Sequence, residues 1–105
     1  MHLAKVVGTV VSTQKDAKIE GLKFLLLRQV DPETLSEGAY VVANDAVGAG
    51  VDEYVLYASG SSARQTAMTK DKPCDAVVMA IVDSWAVGGE QRYEKHSPNV
   101  GYDDL

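Results

Sequence analysis

Residues 2–13 read HLAKVVGTVVST, and this stretch decides the fold class. It is dense in valine and threonine, whose branched side chains suit a pleated strand. Period-two alternation puts Leu3, Val7 and Val11 on one face and Ala4, Val6 and Val10 on the other. The strand is therefore apolar on both sides and needs two covering surfaces. A chain of 105 residues holds one domain and one core, and a small closed sheet supplies only its interior. The outer face is expected to meet another subunit. Gly8 interrupts the run, and a glycine inside a closed sheet permits a sharp bend or bulge, so it is read as barrel curvature.

Residues 14–21 (QKDAKIEG) are polar and turn-like, and 22–30 (LKFLLLRQV) form an apolar stretch whose length leaves helix and strand open. Pro32 disfavours helix at Asp31, which favours a strand ending at Val30. Residues 31–38 read as a loop. Two short β-like runs, 39–43 (AYVVA) and 53–58 (EYVLYA), flank NDAVGAGVD, where Gly48 and Gly50 supply a permissive backbone. The two runs are expected to pair as neighbours. A helix of about two turns is expected in 59–68 (SGSSARQTAM), because Ser62 and Gln65 have the capping-box spacing. Residues 74–85 (CDAVVMAIVDSW) again alternate with apolar groups on both faces, Gly88-Gly89 marks a turn, and the remainder is polar. Five strands with one short helix between strands 4 and 5 specify an all-β protein, a small closed or partly open barrel. Its barrel domain spans residues 1–86, and 87–105 form a polar C-terminal tail with little reason for independent order.

The net charge of −5 is unevenly laid out: residues 31–60 carry six acids and no base, whereas residues 1–30 carry five bases and two acids. An acidic middle third repels phosphate backbones and argues against nucleic acid as a partner, while patches of opposite sign favour self-association. The longest apolar runs, such as 76–82, fall far short of the roughly 18 residues a membrane helix needs. With no signal-peptide core near Lys5, Lys15 and Lys18, a cytosolic protein with no membrane partner is expected. Cys74 has no second cysteine to bridge, and His2 and His96 do not complete a zinc set.

Catalytic motifs fail on single residues. In G-x-G-x-x-G, Gly48 and Gly50 would need a third glycine where Glu53 stands. Around Ser61 and Ser62, G-x-S-x-G requires glycine and S-x-x-K requires lysine, and both positions fall on Arg64. Asp75 and Asp83 are too far apart along one strand for a glycosidase pair. No catalytic residue, cofactor or metal site is expected. Two readings of different class persist beside a structural one: a small oligonucleotide-binding module, suggested by architecture alone, and a serine hydrolase, suggested by Ser61 or Ser62.

Several stretches together resemble one family: LAKVVGTVVSTQKD (3–16), Gly21-Leu22-Lys23, VVANDAVGAGVDEYVL (41–56), SGSSAR (59–64) and PCDAVVMAIVDS (73–84). In this order they cover most of residues 3–84 and resemble the bacterial microcompartment vertex proteins, the pentameric shell family typified by the ethanolamine-utilisation and carboxysome vertex subunits. The family pattern more often has glycine where Asp52 stands, and a hydrophobic residue or valine where Cys74 and Trp85 stand. The resemblance implies a five-stranded barrel similar to the oligonucleotide-binding fold, assembled as a cyclic homopentamer. Such a ring closes the corners of a polyhedral shell in the bacterial cytoplasm, with itself and hexameric shell proteins as partners, and without catalysis or cofactors. Flat hexagonal tiles need fivefold positions to close, so the function is geometric. Within that picture Val47, Gly48, Ala49, Gly50 and Val51, together with Ser61, Ser62 and Arg64, are expected at subunit junctions or near the fivefold axis. Their glycine and capping chemistry motivates the placement.

Overall fold

The computed structural model describes residues 1–11, 23–60 and 75–95. Its strands are β1 (His2–Val10), β2 (Phe24–Val30), β3 (Glu37–Asp45), β4 (Tyr54–Ser59), β5 (Ala76–Ile81), β6 (Ser84–Val87) and β7 (Glu90–Glu94). The first five close a barrel in the order β1-β2-β3-β5-β4, and β6 and β7 form a separate two-stranded sheet. The all-β closed barrel agrees with the sequence reading. The helix expected in 59–68 lies largely outside the described residues, which stop at 60 and resume at 75.

Alternation fills the barrel. Ala4 and Val6 of β1, Leu25 and Leu27 of β2, Ala43 of β3, Val55 and Tyr57 of β4 and Val78 of β5 form one buried cluster, with Val41 and Ile81 packed against it. The register of β1 against β2 slips between Val6 and Gly8, the bulge that the glycine foreshadows. On the opposite face of β4 and β5, Ala58 and Val77 make a second buried cluster with Ala46 and Met79.

The expected pairing of the third and fourth strands does not occur. β5 lies between them, antiparallel to β4 from Val55↔Ile81 to Ser59↔Ala76 and parallel to β3 at Asn44↔Val77 and Asp45↔Val78. The physical reason is the two-sided apolarity of β5. Val77 and Val78 point to opposite faces and are both fully buried, so this strand takes a site covered on both sides. β4 pairs on its other edge with β1, from His2↔Tyr57 to Lys5↔Tyr54.

The run 74–85 is also not one strand. The chain leaves the barrel after Ile81 and turns into the β6–β7 hairpin, so the polar stretch read as tail begins as a strand. Gly88 and Gly89, at φ 60° and 80°, supply the paired positive φ of a two-residue hairpin turn. At the hairpin base, Tyr54, Trp85 and Tyr93 pack with ring centroids 4.5–5.2 Å apart. The Trp85 indole N–H donates to the Pro32 carbonyl at 2.7 Å, and Arg92 lies 3.8 Å from Glu33. The hairpin is thus fastened to the loop before β3 and to β4.

Candidate subunit interface

Asp45 closes β3 and shapes the loop that follows. Its buried carboxylate Oδ1 accepts from the backbone N–H groups of Val47, Gly48 and Ala49 at 3.1, 3.0 and 3.2 Å, and its Oδ2 lies 3.6 Å from the Lys23 ammonium. Gly48 turns the chain at φ 78°, a left-handed conformation that side chains resist. Glu53 holds the far end, its Oε1 accepting from the Gly50 N–H at 2.6 Å. Two backbone bonds tie this end to β1: the Val6 N–H donates to the Glu53 carbonyl and the Asp52 N–H to the Val6 carbonyl. Asp52 itself sits at φ 75°, which accounts for a family pattern that favours glycine there.

This rigid loop presents Val47 and Val51 to solvent at 38% and 52% exposure, with Gly48 and Gly50 also at the surface, while Ala49 turns inward and joins the core. Four of the five loop residues singled out by sequence therefore share one exposed turn. Ser61, Ser62 and Arg64 lie outside the described residues. Two surface residues were missed: Tyr40 and Val42 on β3, exposed at 61% and 51%. Their side chains share a face with Arg28 and Leu26 of β2, their cross-strand partners, and the Arg28 guanidinium lies 4.6 Å from the Tyr40 ring centre. Alternation in AYVVA could not reveal which face is outward.

Asn44 is a different kind of residue. It is fully buried between these surfaces, and neither side-chain polar atom has a hydrogen-bond partner. An unpaired buried amide is destabilising, so Asn44→Leu, which removes it at similar volume, is expected to stabilise the fold by about 1–2 kcal/mol. Thermal unfolding checks this; a lowered midpoint would show that the amide is satisfied.

Glu53 also carries an ion pair to the Lys95 ammonium at the end of the hairpin. The Lys95 hydrogen bond and then that of the Gly50 N–H hold the Glu53 carboxyl below its ordinary value of 4.5, and Glu53 raises Lys95 above 10.5. The Glu53 contribution is present above the ordinary carboxylate value and lost as pH falls through the depressed one. The Lys95 contribution is present below its ordinary value and lost as pH rises through the raised one. The tie therefore holds across neutral pH and releases at both extremes. Trp85 fluorescence against pH should show an acid transition that Glu53→Gln abolishes; an unchanged acid limb in that variant would assign the transition to another group.

Among the described residues, no cluster of His, Cys, Asp or Glu could hold a metal, and no helix is long and apolar enough to cross a membrane. The family profile described as ethanolamine utilisation protein EutN/carboxysome matches residues 1–83. The carboxysome shell vertex protein CcmL of Gloeobacter violaceus is 46% identical over 95 residues, covering 90% of this chain and 95% of that protein. A solved structure of Gloeobacter violaceus CcmL superposes with a TM-score of 0.87 over 92% of this chain and 100% of that one. The bacterial microcompartment shell vertex protein EutN of Escherichia coli K12 is 39% identical, covering 90% of this chain and 100% of its own length. The solved GrpN of Rhodospirillum rubrum, described as a pentameric microcompartment shell protein, is 40% identical with a TM-score of 0.74, over 83% of this chain and 99% of that one. With the profile spanning most of the barrel and relatives of this identity matched nearly end to end, the chain belongs to the EutN/carboxysome family of shell vertex proteins.

Proposed function

We propose that this chain is a structural protein of a bacterial microcompartment shell in the cytoplasm, and that five copies form a cyclic ring at each vertex of the polyhedron. Its role is geometric rather than catalytic. The observation that carries this reading is the placement of exposed apolar side chains. Of the six large hydrophobic residues exposed among those described, Tyr40, Val42, Val47 and Val51 fall within twelve consecutive positions, on β3 and the loop stapled by Asp45 and Glu53. A rigid apolar surface of this kind suits a permanent contact between copies. A ring uses two different patches per subunit, which fits a chain whose acids and bases are segregated. The pentameric relative supports the ring number. The Val47–Val51 turn is assigned to the subunit junction, with Ser61, Ser62 and Arg64 as its expected partners, and hexameric shell proteins are assigned to the outer rim.

Native mass across a dilution series tests the reading. A persistent species at five times the 11.2 kDa chain mass supports it; a monomer at every concentration removes the geometric function and advances a binding module in its place. Residues 1–86 are assigned to the barrel and 87–105 to an appended segment. Deleting residues 91–105 is accordingly expected to leave the barrel folded while exposing Trp85, which loses Tyr93. Circular dichroism and a red-shifted tryptophan emission check this, and an unfolded product would show that the hairpin is part of the folding unit.

A further inference from the structure

We infer that the open edge of β3 is a strand-pairing site for a second copy of this chain, so that the subunit junction uses main-chain hydrogen bonds as well as apolar contact. The inference rests on the ring reading above and goes further in naming the chemistry of the junction. β3 pairs with β2 from Phe24↔Asn44 to Val30↔Glu37, but with β5 only at Asn44 and Asp45. The direction of its backbone groups follows from one bond: the Asp45 N–H donates to the Lys23 carbonyl beside β2 at 2.7 Å. Alternation then aims the N–H and C=O of residues 41 and 43 at β2 and those of Tyr40 and Val42 the other way. No described strand pairs with that side of residues 40 and 42.

The edge also lacks the devices that keep solitary edges apart. Residues 38–43 read GAYVVA, with no charge and no proline, and the Tyr40 and Val42 side chains are the most exposed large apolar groups of the barrel strands. A bare, uncharged edge of this kind invites pairing, and proteins that keep one normally cover it. The nearby cation, Arg28, is already engaged by the Gly38 carbonyl, Glu37 and the Tyr40 ring, which leaves a surface suited to another apolar strand rather than to an anion. The edge runs directly into the Val47–Val51 turn, so the apolar surface continues into the assigned junction. A second copy is the occupant that meets all three conditions, because ring closure covers the same edge once in every subunit.

Val42→Pro tests this. The Val42 N–H faces away from the β2 ladder, so proline removes a donor aimed at the edge and no bond within the chain, and edge strands tolerate it there. The variant is expected to melt within a few degrees of wild type while its ring dissociates at concentrations about 100-fold higher. Val42→Thr, which keeps the N–H and the branching, should retain the ring. An intact Val42→Pro ring beside an intact wild-type ring overturns the inference alone, whereas a monomeric wild type overturns the ring reading beneath it. Should the proline variant fail to fold, hydrogen exchange of wild-type segment 38–43 decides the matter: exchange at least about 10-fold slower in the assembled state than in the dilute monomer supports the inference, and equal exchange overturns it.

Discussion

Asp45→Ala is expected to destabilise the chain by about 3 kcal/mol, a figure set by the donors the carboxylate leaves behind. Its Oδ1 alone satisfies the N–H groups of Val47, Gly48 and Ala49. Those of Val47 and Gly48 are near the surface and recover water, whereas Ala49 is buried and cannot. The 3.6 Å approach of Lys23, whose side chain is largely exposed, adds little. Asp45→Asn keeps an accepting oxygen and should lose about 1 kcal/mol, since a neutral acceptor replaces a charged one. Urea titration of both variants at equal protein concentration checks the pair. Similar losses for Ala and Asn would mean that the charge, not the accepting oxygen, is what matters. Because a ring stabilises its subunits by mass action, the comparison belongs at a concentration where wild type and variant have the same mass. Losing the staple also frees the Val47–Val51 turn, so assembly should weaken beyond what the fold alone loses.

Leu27→Ala is the other large effect, expected at about 2–5 kcal/mol. Leu27 is fully buried and stands between Val6 of β1 and Val41 of β3, at the centre of the interior where five strands converge. Truncation leaves a cavity that a closed barrel, constrained by hydrogen bonds around its circumference, cannot easily collapse. A domain of this size has a total stability of about 5–15 kcal/mol, so the variant is expected to be marginal at physiological temperature. Leu27→Met, which conserves volume, should lose less than about 1.5 kcal/mol. Denaturant midpoints with an unchanged slope would confirm the assignment; a small Leu27→Ala loss would show that the interior relaxes. Leu27 and Val42 make a useful contrast, since one acts on the fold and the other on association.

The valine-rich first strand, the bulge at Gly8 and the Gly88-Gly89 turn could all be read in the sequence because each depends on neighbouring residues only. The insertion of β5 between β3 and β4 could not. It depends on Val77 and Val78 both being buried, a fact about the whole barrel. The hairpin anchor escaped for the same reason: Tyr54, Trp85 and Tyr93 meet only after the chain has turned back over β4. At the candidate interface, the glycines of 48–50 announced a turn, but the carboxylates that hold it came from Asp45 and Glu53, acids that look like ordinary loop charges until their N–H partners are placed. Tyr40 and Val42 were legible as strand residues and illegible as surface, because AYVVA is apolar at every position.

The strand order has a consequence for synthesis. β1 must hold its place until β4 arrives, and the barrel shuts only when β5, ending at Ile81, slides in between β4 and β3. At about 5–20 residues per second, the first strand waits roughly 4–15 s on the ribosome with its future enclosure incomplete. During that interval a three-stranded meander is already available, with the GAYVVA edge bare and no β5 to define its limit. Chains growing side by side on one messenger present identical bare edges to one another before any of them has a finished barrel. Translation speed and the spacing of ribosomes therefore act on vertex supply: slower or sparser synthesis favours closed barrels that assemble later, and dense polysomes favour premature edge pairing.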